Sequence, residues 1–281
     1  MPKPPSLDLA VIGNCHIAAL IDTGGTIVWA CWPHIDGDPI FCSLVGGSDP
    51  ESGLFSIGFD DPSTSSQSYL RNTAIVRTVV KAASGASFAI TDFAPRLRQF
   101  GRIYRPSMII RRVEPMSGVC RIRVRMRPRM KYGELRPQMV PGSNHIRYVT
   151  EAGSVRLTTD APVNYIMNET AFVLSQPLTF ILHQDEKFTD IVPKIGRELE
   201  SQTSNYWQEW VRNLNVPFEW QDAVIRAAIT LKLSLFEDTG AIVAALTTSI
   251  PEAPGSQRNW DYRFCWLRDA FFVVRALNSL S

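Results

Sequence analysis

The residues best suited to chemistry lie close together near the end of the chain, in the segment NWDYRFCWLRD at 259–269. Aromatic rings alternate there with charged groups, a Pro-Gly-Ser turn signal precedes the segment at 254–256, and an apolar helical run follows at 270–277. A sugar ring binds well where its flat apolar face meets an aromatic ring and its hydroxyls meet charged groups. The segment therefore predicts a sugar-binding surface at the mouth of a buried helix.

A structural interpretation of the same residues stays open beside this one. An acidic residue in the first turn stabilises a helix, so Arg268 and Asp269 could be a capping pair at the helix start. Tyr262 and Trp266 could pack in a core, as aromatic residues usually do. We interpret Asp261 as a structural hydrogen-bonding residue rather than a catalyst.

Composition excludes several classes of protein. The chain has 281 residues, 45% hydrophobic content and a formal charge of +2, which favours one large or two medium globular domains without a nucleic-acid partner. It contains no run of about 18 apolar residues, and its first residues lack the apolar core of a signal peptide. We therefore expect no membrane partner and a cytoplasmic location. The arginines at alternate positions of 121–129 predict one solvated strand face.

Cysteine and histidine usage predicts neither disulfides nor a metal site. The five cysteines are an odd number without paired ligand spacing, and the four histidines are scattered. Reduced, mostly buried thiols and no cofactor or metal are the expectation.

The chain up to residue 188 predicts a domain of antiparallel strands. Short apolar or alternating runs recur between turn residues, and the Gly-rich turn at 22–26 joins two of them as a hairpin. Many short strands with no helix between them favour an antiparallel sandwich. The predicted strands are 9–12, 17–21, 27–32, 75–80, 87–93, 108–113, 119–126, 145–150, 154–159, 170–174 and 179–183.

From residue 189 onward the pattern predicts helices. An amphipathic linker helix is expected at 189–216, with one apolar stripe made by Ile195, Leu199, Tyr206, Trp210 and Leu214. In the remainder, 217–281, the helices predicted at 220–237 and 267–280 are apolar on nearly all sides, which is typical of buried helices. The 281 residues hold too little further chain to cover them, so we expect additional chain or a partner chain there, and a homo-oligomer stays open.

Three motifs together resemble one known family. They are IGNCH at 12–16 with WACWPHID at 29–36, TGAIVAALTTSIPE at 239–252, and RNWDYRFCWLRDA at 258–270. The last resembles the first signature of glycoside hydrolase family 15, which includes glucoamylases, glucodextranases and bacterial trehalases of the glucoamylase type. Phe264, His34-Ile35 and Leu246 depart from common family residues and leave the subfamily open.

The resemblance implies an α+β multidomain fold with an N-terminal β-sandwich of the supersandwich type. A linker helix and the first helices of a truncated (α/α)6 barrel would follow. It also implies that Arg268 and Asp269 hold hydroxyls of the non-reducing glucose and that Tyr262 and Trp266 line that pocket. Trp32 and Asp36 are candidates for an interdomain loop at the barrel mouth, although plain turn chemistry explains them equally well.

Two functions from different classes remain after the resemblance. The first is the N-terminal portion of an inverting hydrolase that releases glucose from trehalose or from malto- or isomalto-oligosaccharides. No position matches the two catalytic glutamates of the family, which are expected beyond Ser281, so the 281-residue chain alone should be inactive. The second is a non-catalytic carbohydrate-binding or subunit-interaction module.

Overall fold

The computed structural model describes residues 6–46, 53–151, 153–184, 188–248, 250 and 256–281. Within these ranges the chain forms strands first and helices afterwards. The strands, in chain order, are β1 (Leu9–Gly13), β2 (Ala18–Asp22), β3 (Ile27–Trp32), β4 (Asp38–Phe41), β5 (Leu54–Phe59), β6 (Ser63–Tyr69), β7 (Val76–Ala82), β8 (Ser87–Phe93), β9 (Leu97–Gln99), β10 (Arg102–Tyr104), β11 (Met108–Ser117), β12 (Cys120–Arg127), β13 (Gln138–Pro141), β14 (His145–Thr150), β15 (Gly153–Thr159), β16 (Phe172–Leu174), β17 (Leu178–His183), β18 (Leu235–Phe236) and β19 (Ala241–Ile242). The helices are α1 (Ser43–Gly46), α2 (Val163–Met167), α3 (Val192–Arg212), α4 (Gln221–Leu233) and α5 (Leu267–Asn278).

Two antiparallel sheets make up the strand-rich part. One has the order β1-β2-β3-β5-β12-β16, with β4 on the side of β3, and the other has the order β13-β14-β15-β17-β11-β8-β7-β6. Side chains of β12 alternate between buried apolar residues and solvent-facing arginines, as a sheet with one covered face requires. Arg123, Arg125 and Arg127 make ion pairs with Asp60 and Glu169, so the predicted solvated face is confirmed within β12. Arg129 was wrongly included in that face, because it lies beyond the strand and is only 6% exposed.

One apolar core fills the space between the sheets. It joins Ile12, Phe55 and Ile122 of the first sheet to Phe88 and Phe180 of the second. The rings of Phe55 and Phe180 meet edge to face, with centroids 6.1 Å apart. The predicted antiparallel sandwich is thereby confirmed.

The hairpin prediction is also confirmed, while several other strands escaped the sequence pattern. β2 pairs antiparallel with β3, and Gly25 supplies the positive φ of 84° that the turn needs. β6 reads STSSQSY and is exposed along most of its length at the edge of the second sheet, so it carries no apolar alternation to detect. β6 forms because β7 offers backbone hydrogen-bonding groups along its edge, and not because β6 has an apolar face to bury.

Helices α3 and α4 pack together on the sandwich. Trp207 and Val211 of α3 share a buried cluster with Ile225 and Ile229 of α4 and with Ala74 of the strand region. The predicted amphipathic helix is confirmed, with bounds of Val192–Arg212. No helix in the part of the chain that the structure describes is long and apolar enough to cross a membrane.

The expected end of the second helix, near residue 237, was wrong. α4 ends at Leu233, and Leu235–Phe236 instead pairs with Ala241–Ile242 as a two-residue hairpin. The carboxylates of Glu237 and Asp238 are bound by arginines of the strand region, which turns the chain away from the helical path. A charge-driven contact with a distant segment therefore overrides local helix propensity here.

A fully buried ion pair within the second sheet anchors a contact to the first sheet. Arg111 and Asp92 are both completely inaccessible to solvent, and Arg111 Nε lies 2.7 Å from Asp92 Oδ1. The same guanidinium donates to the carbonyl oxygens of Phe55, at 2.6 Å, and Gly25. A charge in this environment is stable only with such a set of partners.

Arg111→Met should lower the free energy of unfolding by about 3–5 kcal/mol, because it leaves Asp92 buried without its charge partner. Urea denaturation gives this difference. The matched control is Arg123→Met, since Arg123 and Asp60 form a partly exposed pair with side chains 28% and 41% accessible. The control should lose less than about 1 kcal/mol, and equal losses in the two variants would contradict a special role for the buried pair.

Candidate functional site

The aromatic segment pairs with residues 243–245. Val243 and Cys265 form an isolated antiparallel bridge, and the amides of Ala244 and Ala245 donate to the carbonyl oxygens of Phe264 and Tyr262 at 3.1 and 2.9 Å. Tyr262 and Arg263 lie in a turn, and the chain enters α5 directly after the pairing. A helix was predicted to follow the segment, but as a buried one, and no residue of α5 is buried within this chain.

Tyr262 and Trp266 lie side by side. Their ring centroids are 5.7 Å apart with 30° between the planes, and both residues are partly accessible to solvent. Two neighbouring, tilted and partly exposed rings provide the apolar contact that one face of a pyranose requires. This pair fits the sugar-contact interpretation better than the alternative of a closed core.

Arg268 and Asp269 occupy the first turn of α5. Arg268 Nη2 lies 3.1 Å from Asp269 Oδ2, and the two side chains are 73% and 32% accessible. The N-terminal amides of a helix favour a carboxylate nearby, so helix stabilisation by Asp269 remains compatible with this position. The same accessible Arg-Asp pair also presents donors and acceptors of the kind that bind sugar hydroxyls.

Arg263, in the middle of the segment, is only 6% exposed and carries the contact between the segment and the sandwich. Its five N–H donors find these acceptors: both carboxylate oxygens of Asp261 at 2.7–3.2 Å, the carbonyl oxygen of Gly37 at 2.6 Å, the hydroxyl of Tyr132 at 2.6 Å and the sulfur of Cys31 at 3.5 Å. Burial opposes the charge, but these acceptors outweigh it and raise the pKa of Arg263. The sequence reading missed this role, although the residue stands inside the motif.

The side chain of Asp261 accepts hydrogen bonds from the guanidinium of Arg263. Its Oδ1 also accepts the backbone N–H of Arg263 at 3.0 Å, so the carboxylate closes a small ring with the residue two positions on. Burial would raise the pKa of Asp261, but hydrogen bonds from Arg263 more than offset it and lower the pKa. The interpretation of Asp261 as a structural hydrogen-bonding residue is confirmed.

The loop between β3 and β4 reaches the segment through its backbone. Trp32 is 7% exposed and packs in the sandwich core, while Asp36 is exposed and lies 3.2 Å from Nδ1 of His34. It is the carbonyl oxygen of Gly37 that contacts Arg263. A Cβ at Gly37 would lie 2.3 Å from the Trp32 carbonyl oxygen, so this turn requires glycine.

A second polar junction joins the strand region to the hairpin β18–β19. His16 Nδ1 lies 2.6 Å from Asp238 Oδ2, and Arg105 Nη1 lies 2.8 Å from the same oxygen. His16 Nε2 lies 3.0 Å from Ser107 Oγ, which resembles a Ser-His-Asp constellation. However, the Ser107 hydroxyl donates to the carbonyl oxygen of Pro33 at 2.7 Å, so its proton is not directed at His16. We interpret this junction as a structural lock.

A cluster of charged side chains lies next to this lock. Arg96 is 1% exposed and donates to Glu237 Oε1 at 2.7 Å and to the carbonyl oxygen of Asn14 at 2.6 Å. Lys232 Nζ also lies 2.7 Å from Glu237 Oε1. Cys15, beside this cluster, has its pKa raised to about 11 by burial, so it stays a neutral thiol.

The cysteines of the described residues are mostly buried thiols. Four are buried and Cys265, within the segment, is exposed, as the expectation of mostly buried thiols required. Among residues 6–46, 53–151, 153–184, 188–248, 250 and 256–281, no group of three or more His, Cys, Asp and Glu side chains could hold a metal ion.

Comparisons with known proteins match both parts of this architecture. Residues 3–173 match the family described as "Trehalase-like, N-terminal", and residues 220–281 match "Glycosyl hydrolases family 15". The first match covers well over half of the chain. The chain belongs to this trehalase-like family, and its residues 220–281 are similar to glycosyl hydrolases of family 15.

Similar curated proteins carry the name trehalase. A trehalase of Thermoplasma volcanium is 29% identical over 96% of this chain and 44% of its own length. Trehalase 1 of Sulfolobus acidocaldarius is 30% identical over 96% of this chain and 45% of its own, and a Mycobacterium tuberculosis trehalase is 27% identical over 99% and 44%. The chain thus spans less than half the length of the curated relatives that it matches.

The lock at Asp238 should make stability depend on pH in the acid range. Hydrogen bonds from Arg105 and then His16 lower the pKa of Asp238 from 3.8 to about 2. The unfolded chain therefore binds more protons between about pH 4 and pH 2, so the stabilising effect of Asp238 is complete above about pH 4 and lost towards pH 2.

Asp238→Asn should accordingly lower the unfolding temperature at pH 6, and the gap to the unmodified protein should close as the pH falls towards 2. Thermal unfolding followed by circular dichroism at several pH values measures the gap. Asp190→Asn is the control, because Asp190 makes only an exposed pair with Lys194 at 2.9 Å. A gap that stays constant across the range would refute the assignment of this pH dependence to Asp238.

Proposed function

We propose that the whole protein to which this chain belongs is an inverting glycoside hydrolase that releases glucose from an α-linked glucoside, with trehalose as the first candidate substrate. The observation that carries the proposal is the segment 258–270, which lies within the match to glycosyl hydrolase family 15 and presents Tyr262 beside Trp266 and Arg268 beside Asp269. The names of the similar proteins favour trehalose over malto- and isomalto-oligosaccharides.

In this proposal the segment binds the non-reducing glucose. Tyr262 and Trp266 contact the apolar face of the ring and keep water from it. Arg268 donates to ring hydroxyls and Asp269 accepts from them, which fixes the orientation of the sugar. Charged groups suit this task because each hydrogen bond to a fixed hydroxyl discriminates against a misplaced sugar.

The hydrolytic step requires two carboxyl groups that we place in the remainder of the whole protein. One would protonate the glycosidic oxygen as a general acid, and the other would remove a proton from water that attacks the opposite face of the anomeric carbon. The role of the present chain is then to hold the sugar in the position at which these groups act.

We also propose that α4 and α5 are the first helices of an (α/α)6 barrel. None of the twelve residues of α5 is buried, and its apolar side chains are widely exposed, with Leu267 at 88%, Phe271 at 59% and Phe272 at 58%. Apolar surface of this extent on one helix calls for a covering layer. The greater length of the relatives supports further helices as that layer.

A product assay on the natural full-length protein tests the proposed function. Trehalose, maltose and isomaltose are supplied separately, and proton NMR at early times records the anomer of each glucose released. Inversion gives β-glucose from the non-reducing end of maltose, and one α- and one β-glucose from trehalose. α-Glucose from the non-reducing end of maltose, or two α-glucose molecules from trehalose, would overturn inversion. Saturable sugar binding without any hydrolysis would instead favour the non-catalytic carbohydrate-binding module.

Asp269→Ala should lower kcat/KM by about ten- to a hundredfold, the effect of losing a charged hydrogen bond of about 1.5–3 kcal/mol. Asp222→Ala is a matched control, because Asp222 stands in the first turn of α4 as Asp269 stands in the first turn of α5. The control removes the same helix stabilisation and should leave kcat/KM within about twofold. Equal effects on turnover in both variants would reduce Asp269 to a helix-stabilising residue.

A further inference from the structure

The loop that follows β12 contains two consecutive residues in an unfavourable backbone conformation. Lys131 has a φ of 51° and Tyr132 a φ of 55°, both in the left-handed region, and Gly133 follows with a φ of 99°. The Cβ of a non-glycine residue makes this region sterically unfavourable. Such a conformation persists only where the surrounding structure enforces it, and it is often found where a side chain has a task.

Asp38, the first residue of β4, enforces the conformation. Its Oδ2 accepts the backbone N–H of Lys131 at 2.5 Å, and its Oδ1 accepts that of Tyr132 at 2.9 Å. The bridge between Met130 and Leu135 closes the base of the loop. The backbone of Tyr132 is thus fixed by a carboxylate committed to it, even though the side chain of Tyr132 is 58% exposed.

The hydroxyl of Tyr132 completes a closed circuit of hydrogen bonds with the aromatic segment. It accepts from Arg263 Nη2 at 2.6 Å, while Arg263 Nη1 donates to the carbonyl oxygen of Gly37 at 2.6 Å. Gly37 directly precedes Asp38, the residue that holds the Tyr132 backbone. The circuit therefore runs from Asp38 to Tyr132, on to Arg263 and back to Gly37, so a shift of Arg263 breaks contacts at two places.

Arg263 transmits this constraint to Tyr262. Asp261 and Arg263 flank Tyr262 and are joined by hydrogen bonds across it, and the carbonyl oxygen of Tyr262 accepts from Ala245 at 2.9 Å. The backbone of Tyr262 is consequently fixed on both sides and through its own carbonyl group. Its ring can then keep its place beside Trp266, 5.7 Å between centroids.

We propose that Tyr132, a residue of the β-sandwich, is a positioning residue of the glucoside site that holds the ring of Tyr262 in place through Arg263. This inference rests on the proposed function for its consequence in catalysis, but its structural part concerns the chain alone. An ordinary contact between two parts of a protein would not need two strained residues and a dedicated carboxylate. The sandwich therefore takes part in shaping the sugar site.

Tyr132→Phe in the natural full-length protein removes only the hydroxyl. We expect kcat/KM for the hydrolysed glucoside to fall on the order of tenfold, mainly through kcat, since a displaced sugar-contact ring misaligns the bound substrate. Tyr165→Phe is the matched control: Tyr165 lies in α2 of the sandwich, is 46% exposed and stacks on Phe172 with centroids 5.9 Å apart. The control should keep the kinetic constants of the unmodified protein.

A double-mutant cycle separates positioning from a general loss of stability. Arg263→Lys breaks the fork that binds Tyr132 and Gly37 together, so adding Tyr132→Phe to it should lower kcat/KM no further. Independent, multiplying effects of the two substitutions would overturn the link between these residues. An equal fall in kcat/KM in Tyr132→Phe and in the control Tyr165→Phe would also overturn that link.

Amide hydrogen exchange tests the structural part independently of activity. Tyr132→Phe should speed exchange at the amides of Ala244, Ala245 and Arg263, which hold the segment, and leave those of β8 and β11 unchanged. Unchanged exchange at the three amides would overturn the proposal whether or not the protein hydrolyses a glucoside. Faster exchange with unchanged kinetic constants in an active enzyme would overturn the positioning role. A protein without hydrolysis but with the exchange change would refute the proposed function alone.

Discussion

The burial of one guanidinium group determines how the candidate site sits on the rest of the molecule. Arg263 is a cation with 6% exposure, and burying a cation is costly unless it is paired and hydrogen-bonded. Its acceptors come from Asp261 in the segment and from Cys31, Gly37 and Tyr132 in the strand region. Because the fork is planar and rigid, few placements of the segment satisfy all of these groups together. The position of Tyr262 follows from that constraint.

Buried arginines make the other joints of the molecule in the same way. Arg111 pairs with Asp92 of its own sheet and connects that sheet to the other one through the carbonyl oxygens of Phe55 and Gly25. Arg96 connects the carbonyl oxygen of Asn14 to Glu237 beyond α4, with its guanidinium 4.7 Å from the ring centroid of Tyr206. Apolar packing provides most of the driving force for folding, but it is not directional. Arg263, Arg111 and Arg96 supply directional contacts where parts of the chain distant in sequence have to meet at a defined angle.

The sequence predicted most of the sandwich because its strands have one buried face. β8 and β14 were predicted with their observed bounds, since their residues alternate or are buried throughout. The pattern did not reveal β6, because none of its residues is buried. It also placed the end of α4 too late, because Arg96 and Arg105 bind Glu237 and the chain leaves the helical path before that residue. Both depend on contacts with distant residues, which a local window does not contain.

The same division runs through the candidate site. Tyr262, Trp266, Arg268 and Asp269 stand within one short segment, so spacing alone predicts that they lie close together. Tyr132 lies 131 residues before Arg263 in sequence, and no local signal marks it, because its role comes from the left-handed turn that Asp38 holds. The structural role of Arg263 could have been predicted, because an arginine among aromatic residues can be buried and bound by several acceptors as easily as it can be exposed.

The two halves of the candidate site are supported to different degrees. Tyr262 is fixed through Arg263 by buried hydrogen bonds to the sandwich, whereas Arg268 and Asp269 stand on α5, of which no residue is buried. Surface ion pairs such as Arg268–Asp269 contribute little to holding side chains in place. Within this chain the aromatic half is therefore pre-formed, and the charged half depends on whatever covers the apolar side of α5. If the segment binds a sugar as proposed, a site assembled in this way would become competent only when both the sandwich and a layer over α5 are in position.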